Sequence, residues 1–271
     1  MKYPVIGPVL IHLGPLQIRW YGLMYVIGFV LAYFIMKKVA KNRDYSLEQQ
    51  DIEDLVAYCI LGLVIGARIG YCFFYNFSYY IYHPFKIIAV WEGGMSLHGG
   101  LIGVLIVGWL FSIKRKKSFL MLADLGAVAA TPGLFFGRMG NFINAELYGR
   151  ITNVPWGMVF PGAGPFPRHP SQIYEAFFEG IVLFFIMYIL SRRKSVHGTL
   201  IGSFLIIYGI MRFFIEFFRE PDPQIGFILG IFSMGQVLCI IMITIGSFLF
   251  WYVQMQGISE HNKKQISRLK G

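Results

Sequence analysis

Charged residues are scarce in this sequence. They make up 14% of the 271 residues, whereas soluble domains carry about 25%. The apolar fraction is 56% and the mean hydropathy is +0.59, which is too apolar for a surface that faces water. This composition excludes a disordered protein and indicates an integral membrane protein, for which the lipid bilayer is the first partner.

Cysteines are also few, and they form no motif. Cys59, Cys72 and Cys239 each lie in an apolar run, and no two have the C-x-x-C spacing, so a disulfide-rich secreted protein is excluded. The six histidines are scattered without an H-E-x-x-H motif, and P-loop and G-x-G-x-x-G runs are missing. We therefore expect no metal, no nucleotide and no other cofactor.

Acidic residues number 14 against 24 basic residues, which gives a formal net charge of +10. Most of the basic residues fall in four clusters, and each cluster follows a long apolar run. This pattern is typical of cytoplasmic loops under the positive-inside rule, and no basic stretch carries a nucleic-acid-binding motif, so no nucleic acid partner is expected. The clusters are Lys37–Arg43, Lys114–Lys117, Arg192–Lys194 and Lys263–Lys270.

Seven apolar stretches are long enough to cross a bilayer, for which about 20 residues are needed. The basic clusters follow the first, third, fifth and seventh stretch, which predicts an N-terminus outside and a C-terminus in the cytoplasm. The fold class expected is an all-α integral membrane protein with seven transmembrane helices, in one multi-pass domain over 1–271. Extracytoplasmic loops at about 74–96 and 138–171 are expected to form a small cap. The predicted spans are Tyr21–Met36, Leu55–Phe73, Leu97–Ile113, Phe119–Phe136, Ile173–Leu190, Leu200–Phe217 and Ile231–Val253.

Small residues recur on the second span. Gly62, Gly66 and Gly70 are spaced four residues apart and predict close packing against another helix. The fifth and seventh spans, by contrast, look generic and are expected to carry little functional information.

The remaining basic residues fall on the predicted outer half, against the positive-inside bias. Most are arginines, which are costly within a span and therefore face a partner or a cavity. Since arginine favours planar recognition of carboxylate or phosphate, the set suggests a site for an anionic lipid headgroup. The alternative is internal pairing with Glu92, Glu146, Glu175, Glu179, Glu216 and Glu220. The basic residues in question are Lys2, Arg19, Arg68, Lys86, Arg138, Arg150, Arg168, Arg212 and Arg219.

The sixth span carries a polar stripe. Tyr208, Arg212 and Glu216 are spaced i, i+4, i+8 and therefore share one helix face, which Arg219 continues. A polar stripe on an apolar span must face the protein interior, where Glu216 can orient Arg212.

Two further segments are rich in polar residues and glycine. Arg138, Asn141, Asn144 and Glu146 lie close together after the fourth span, and glycines there allow a ligand to approach the backbone. His98 stands between glycine pairs at the entrance to the third span, where a structural and a functional role are about equally expected.

The run GRMGNFINAELYG, from Gly137 to Gly149, closely resembles the signature of bacterial prolipoprotein diacylglyceryl transferases. Further blocks similar to this family follow in the expected order and cover essentially the whole chain. They are RWYGLMY from Arg19, GARIGY from Gly66, WEGGMSLHGG from Trp91, RHPSQIYE from Arg168 and YGIMRFFIEFFREPD from Tyr208.

The resemblance implies a phosphatidylglycerol–prolipoprotein diacylglyceryl transferase activity. Members of the family transfer the diacylglyceryl group of phosphatidylglycerol to the lipobox cysteine of a preprolipoprotein, forming a thioether and releasing glycerol phosphate. The expected partners are therefore phosphatidylglycerol and the lipobox peptide. The expected location is the bacterial cytoplasmic (inner) membrane, with the active site toward the extracytoplasmic side.

The resemblance also implies site residues. Arg138 and Arg212 would clamp the headgroup and the leaving phosphate, and Gly149 would act through its backbone. The proton acceptor stays open between His98 and a tyrosine activated by arginine. The catalytic candidates are His98, Arg138, Arg212 and Tyr21, and the substrate-binding candidates are Arg138, Asn141, Glu146, Gly149, Tyr208, Arg212 and Glu216.

Two other classes of function compete with the transferase. An anion transporter would use the buried arginines as a permeation path, but it needs polar residues on the cytoplasmic halves too, where Asp124 is the only good candidate. A lipid-binding scaffold would carry the same arginines without turnover.

Overall fold

A computed structural model of the protein describes residues 1–4, 6–13, 16–220, 227–228 and 232–269. This part of the chain is mostly helical, with two short antiparallel hairpins, one of β1 (Val9–Leu13) with β2 (Leu16–Arg19) and one of β3 (Phe227–Ile228) with β4 (Phe232–Ser233). The helices are α1 (Trp20–Asn42), α2 (Gln49–Phe74), α3 (Phe77–Tyr82), α4 (Leu97–Lys114), α5 (Phe119–Ile143), α6 (Ser171–Glu175), α7 (Leu183–Ser191), α8 (Thr199–Ile215) and α9 (Met234–Leu269). A π-helical segment, Ala176–Val182, joins α6 to α7.

The apolar helices follow the predicted order of spans. Six helical stretches in the described chain are long and apolar enough to cross a membrane, and α8 is a shorter apolar helix of 17 residues. The fold class of an all-α integral membrane protein is confirmed, although the start of the last predicted span, Ile231, lies outside the described residues.

The helices extend beyond the predicted spans where polar residues favour helix. α1 continues to Asn42 because its lysines are good helix formers, and α5 continues to Ile143. Arg138 and Asn141 therefore lie on the last turns of α5, whereas the sequence placed them in a loop from 138 onward. Hydropathy detects only the apolar part of a helix, so the predicted spans end before α1 and α5 do.

The chain divides into two compact units. The first comprises Met1–Asp44 and Asp124–Gly271, and the second comprises Tyr45–Ala123. In the first unit the N-terminal segment is tied to the end of α5, since the Tyr3 hydroxyl donates to the carbonyls of Phe142 at 2.6 Å and Ile143 at 2.9 Å. Burial raises the pKa of this tyrosine.

In the second unit, α2 packs directly on α4. A Cβ atom on Gly66 would lie 2.4 Å from the carbonyl oxygen of Gly99, and one on Gly62 would lie 2.9 Å from that of Gly103. The prediction of close helix packing is confirmed, because only hydrogen side chains allow the two backbones this near each other.

Asp124 caps the N-terminus of α8 in the first unit. Its fully buried carboxylate accepts hydrogen bonds from the backbone N–H groups of Gly198 at 2.9 Å and Ile201 at 2.8 Å. These donors lack partners within the helix, so the carboxylate fixes the beginning of α8. The residue considered for a permeation path is thus engaged in holding the helix that carries Arg212.

Candidate active site

Two arginines and two glutamates meet inside the first unit. Arg138 Nε lies 2.7 Å from Glu175 Oε2, and its Nη2 lies 3.7 Å from Glu179 Oε2. Arg212 Nη1 contacts the same Glu175 oxygen at 2.8 Å and donates to Glu179 Oε1 at 3.3 Å. The structure therefore brings together one arginine from α5 and one from α8. They surround the carboxylates of Glu175, at the end of α6, and Glu179, in the π-helical segment.

The other side of Arg212 is held by its own helix. Its Nη2 contacts Glu216 Oε2 at 2.8 Å, and Glu216 Oε1 accepts a hydrogen bond from the Ser233 hydroxyl at 3.1 Å. A Cβ atom on Gly235 would lie 2.5 Å from Glu216 Oε1, so a larger residue at the start of α9 would displace this carboxylate. The stripe expected on the sixth span is formed, with Tyr208 within electrostatic reach of Arg212.

Burial differs between the two signs of charge. The side chains of Glu175, Glu179 and Glu216 are 1%, 0% and 7% exposed, whereas those of Arg138 and Arg212 are 19% and 11% exposed. The carboxylates are thus the more deeply buried partners, and the arginine side chains keep the larger exposed fraction.

Arg219 completes the charge balance of this arginine–glutamate cluster. Its Nη1 lies 3.9 Å from Glu175 Oε1, and its side chain is 16% exposed. Arginines and glutamates are then equal in number, so the cluster carries no net formal charge. The buried carboxylates offset the cost of placing guanidinium groups among membrane-spanning helices, which for an unpaired arginine is about 2.5–3.5 kcal/mol on the insertion scale.

A second polar group adjoins the last turns of α5. Asn141 Nδ2 donates to Glu146 Oε1 at 2.8 Å, and Asn144 Nδ2 donates to the same oxygen at 3.3 Å. Tyr21 of α1 faces Asn141 and Glu146, and its ring fills the place that a Cβ on Gly140 would occupy, 2.6 Å from Tyr21 Cδ2. Its hydroxyl also lies 3.3 Å from that of Tyr25.

Gly149 lies where three segments of backbone come together. Its N–H donates to the His169 carbonyl at 2.8 Å, and it pairs in an isolated antiparallel bridge with Arg219. A Cβ atom here would lie 2.3 Å from the Phe218 carbonyl oxygen. The expected backbone role therefore has a steric basis, because this loop connects directly to the residue that carries one of the clustered guanidinium groups.

His98 belongs to the second unit, in the first turn of α4. Its side chain is exposed, and Ser96, which precedes it, caps the helix by accepting a hydrogen bond from Gly99 N–H at 3.2 Å. Within the described chain the imidazole forms no hydrogen bond, so this structure neither joins His98 to the arginines nor fixes its tautomer. No three histidine, cysteine, aspartate or glutamate side chains among the described residues are placed to hold a metal ion.

Comparison with known proteins identifies the family of this chain. The family model described as prolipoprotein diacylglyceryl transferase matches residues 8–252. The chain belongs to the prolipoprotein diacylglyceryl transferase family. Its relatives include three proteins named phosphatidylglycerol–prolipoprotein diacylglyceryl transferase, and the alignments span nearly all of both chains.

The relative from Geobacter sulfurreducens is 52% identical over 246 residues, which are 91% of this chain and 95% of the relative. The relative from Oleidesulfovibrio alaskensis is 47% identical over 268 residues, or 98% of each chain. The relative from Coxiella burnetii is 47% identical over 253 residues, which are 93% of this chain and 97% of the relative.

Not every arginine that the sequence singled out in this member of the diacylglyceryl transferase family joins the cluster. Arg68 is buried and donates to the backbone carbonyls of Lys86 at 2.7 Å, Ile87 at 2.9 Å and Gly94 at 3.1 Å. It also contacts the Tyr80 ring, at 5.2 Å from the centroid. Arg68 therefore holds the segment after α3 in place, and its donors are used.

Arg150 and Arg168 likewise serve the fold of the loops between α5 and α6. Arg150 Nε donates to the Arg219 carbonyl at 2.8 Å, and Arg168 Nη1 contacts Glu220 Oε2 at 3.0 Å. Internal pairing, the alternative considered for single arginines, is thus present at several positions. It also applies inside the cluster, where Arg138, Arg212 and Arg219 all contact Glu175.

Sequence reasoning missed the part that the fifth and seventh spans play in this family member. Glu175 and Glu179 lie on the fifth span, and Ser233 and Gly235 support Glu216 from the start of the seventh. Both spans therefore supply residues of the cluster or of its support, while the expectation that they carry little functional information stays a prediction. The available signal was a pair of carboxylates spaced i, i+4 at the beginning of an otherwise apolar run, since such residues are costly in a span unless they are paired.

A histidine and aromatic group lies next to Gly149. His169 Nδ1 and Tyr174 Oη are 3.1 Å apart, and Trp156 Nε1 donates to the same hydroxyl at 2.6 Å. Burial lowers the pKa of His169. This imidazole is therefore neutral over a wider pH range than a solvent-exposed one, and it adds no charge beside the cluster.

Proposed function

We propose that the protein transfers the diacylglyceryl group of phosphatidylglycerol to the thiol of the lipobox cysteine in preprolipoproteins, the first step of bacterial lipoprotein maturation. Membership of the diacylglyceryl transferase family supports the reaction. The observation that carries the site is the pair Arg138 and Arg212, whose guanidinium groups both contact one buried Glu175 oxygen.

The reaction sets two chemical demands. A carbon–sulfur bond forms between the cysteine and the glyceryl carbon, and the bond from that carbon to the phosphate oxygen breaks with its electron pair on glycerol phosphate. The thiol proton must leave, because the thiolate is the nucleophile and a free thiol has a pKa of about 8.5. The leaving phosphate gains charge, and preorganised donors stabilise such charge by about 3–4 kcal/mol for a single donor.

Arg138 and Arg212 are suited to the second demand. Each guanidinium offers five N–H donors in a planar fork that matches phosphate oxygens. In this proposal the two residues bind the headgroup phosphate and stabilise it as it leaves. Glu216 orients Arg212, and Tyr208 lines the site one turn away on the same helix.

Tyr21, Asn141, Glu146 and Gly149 form the remaining wall of the site in this proposal. The amide and carboxylate of Asn141 and Glu146 can hold hydroxyl groups of the glycerol headgroup, since both are hydrogen-bonding partners for alcohols. The proton acceptor for the thiol stays open between His98 and a tyrosine activated by arginine, such as Tyr21.

The membrane setting follows from the helices, and its details are part of the proposal. The protein is a multi-pass membrane protein. We place it in the bacterial cytoplasmic membrane with the site toward the extracytoplasmic side, because the basic clusters follow the odd-numbered spans. The single membrane domain over 1–271 and the cap formed by loops at about 74–96 and 138–171 stay predictions.

A transfer assay with the detergent-purified protein tests this function. The reaction contains phosphatidylglycerol and either a peptide with a lipobox cysteine or the matched peptide with alanine in its place. We expect a mass increase of one diacylglyceryl group on the cysteine peptide alone, together with release of glycerol phosphate. Lipid binding without transfer would instead favour the scaffold, and anion flux in liposomes without transfer would favour the transporter.

A further inference from the structure

Glu175 occupies an unusual position between the two arginines. Its Oε2 atom alone contacts Arg138 Nε at 2.7 Å and Arg212 Nη1 at 2.8 Å. Because both contacts share one atom, the two nitrogens are held at a separation that a single phosphate group can span. The side chain itself is almost completely buried, with 1% of its surface exposed.

The contacts to Glu175 are electrostatic and poorly aligned for hydrogen bonding. Neither of its oxygens accepts an aligned hydrogen bond from a described residue, although two guanidinium nitrogens lie within 2.8 Å of Oε2. Glu175 therefore holds the two guanidinium groups by ion pairing, through one oxygen that contacts both of them.

The backbone at this point departs from a regular helix. Glu175 is the last residue of α6, and the next seven residues, Ala176–Val182, form the π-helical segment that includes Glu179. Such segments are rare within α-helices and are frequent at functional sites. The extra residue per turn shifts the side chains around the helix and presents both carboxylates to the arginines.

The same segment is packed tightly on the helix that carries Arg138. A Cβ atom on Gly180 would lie 2.5 Å from Phe135 Cβ and 2.7 Å from Phe135 Cα. Phe135 precedes Arg138 by one turn of α5. The separation of the two backbones is thus fixed at van der Waals contact, and it determines where the Glu175 carboxylate stands relative to Arg138.

From this geometry we infer that Glu175 is a positioning residue for the transfer reaction, setting the spacing and orientation of the Arg138 and Arg212 guanidinium groups from behind. The inference rests on the proposed function and adds a residue to it. Glu175 does not touch the substrate. It acts through the two arginines that do.

The charge balance predicts how this role differs from substrate binding. Replacing Glu175 by glutamine keeps the shape of the side chain and removes one negative charge, so the neutral cluster becomes positive by one. An anionic lipid is then attracted at least as strongly, and KM for phosphatidylglycerol does not rise. The arginines lose their shared anchor, and since a misplacement of about 1 Å can cost about 100-fold in rate, kcat falls by about that factor.

The experiment compares kcat and KM for phosphatidylglycerol in the wild-type protein, Glu175→Gln, Glu175→Asp and the control Asp44→Asn. Asp44 also pairs with a basic residue, Lys194, but its side chain is 69% exposed and it is not part of the cluster. We expect wild-type kinetics for the control, because exposed ion pairs contribute little. For Glu175→Gln we expect a fall of about 100-fold in kcat at unchanged or lower KM.

Glu175→Asp separates positioning from simple charge compensation. Aspartate keeps the charge, but its carboxylate stands one methylene farther back and cannot contact both nitrogens. We expect kcat to be reduced about 10-fold or more while KM for phosphatidylglycerol stays at the wild-type value. Full activity of this variant, or a raised KM at unchanged kcat in Glu175→Gln, would overturn the inference. An inactive wild-type protein would instead refute the proposed function.

Discussion

At the residue scale, the site depends on geometry rather than on an excess of positive charge. Arg138, Arg212 and Arg219 are balanced by buried glutamates, so the cluster has no net charge with which to attract an anion from a distance. What it offers is a set of directed N–H donors in fixed positions. Recognition of this kind requires the planar guanidinium fork, which an ammonium group cannot reproduce.

Replacing Arg212 by lysine tests this requirement. The ammonium keeps the charge but cannot contact Glu175, Glu179 and Glu216 from one planar group, so we expect transfer to fall by about 100-fold or more. Arg212→Ala and Arg138→Ala should abolish transfer while the protein stays inserted. Arg115→Lys, which changes an exposed arginine paired with Asp54, is the matched control in the same peptide assay. Wild-type turnover in Arg212→Lys would show that charge alone suffices.

Gly149→Ala tests the backbone role of the signature run. The added methyl group meets the Phe218 carbonyl oxygen at 2.3 Å, so the backbone that carries Arg219 must move. We expect kcat to fall about 10- to 100-fold, as measured by the rate of diacylglyceryl transfer. Gly126→Ala is the control, because a Cβ there meets nothing within 4 Å. Equal rates in both variants would contradict the steric explanation.

At the element scale, glycines bring the backbones of neighbouring helices into close contact in both units. In the second unit, glycines of α2 meet glycines of α4, and in the first unit Gly180 meets Phe135. In lipid, helix association depends on van der Waals contact and not on water exclusion, so small residues at such interfaces contribute most. The irregular π-helical segment can persist because the helix around it is held this firmly.

Gly66→Ala tests the packing of α2 on α4. The new Cβ would lie 2.4 Å from the Gly99 carbonyl oxygen. This is a backbone atom of a helix, so no change of rotamer can relieve the clash. We expect the free energy of unfolding to fall by about 1–3 kcal/mol, seen as a lower melting temperature in detergent. Gly108→Ala on α4, where the nearest atom is the Phe119 ring at 3.6 Å, should change it little. An unchanged melting temperature in Gly66→Ala would show that these helices separate easily.

At the scale of the whole molecule, the distribution of basic residues predicts the orientation in the membrane. The clusters at Lys37–Arg43, Lys114–Lys117, Arg192–Lys194 and Lys263–Lys270 favour the cytoplasm, since positively charged loops are translocated poorly. The arginines of the site are then on the opposite side. This is where secreted preprolipoproteins would present their cysteine.

Reporter fusions test the orientation. Alkaline phosphatase, which folds only outside the cytoplasm, should be active when fused after Gly93 and inactive when fused at the C-terminus. A fusion after Lys116 serves as the cytoplasmic control and should also be inactive. Phosphatase activity at the C-terminus would contradict both the orientation and the odd number of spans.

The sequence predicted the fold to a large extent because the strongest determinants of a membrane fold can be read along the chain. Apolar runs must lie in lipid and basic clusters favour the cytoplasm, so the number and order of spans follow from composition along the chain. The stripe of Tyr208, Arg212 and Glu216 was also visible, because residues spaced by four share a helix face. The ends of the helices were harder to predict, as α1 and α5 show, because hydropathy does not detect the polar residues that continue a helix.

The sequence by itself therefore determined the membrane class, the order of the spans and the identity of the signature residues. Only the tertiary structure decided which arginines join the glutamate cluster and which bind the backbone. Arg68 and Arg138 look alike in sequence, but one is engaged by loop carbonyls and the other lies beside Glu175. The sequence offered Glu175 and Glu179 among several possible partners, and only the three-dimensional structure decided which arginines they contact. A buried charge is stable where partners from distant parts of the chain converge on it, and no local pattern records that convergence.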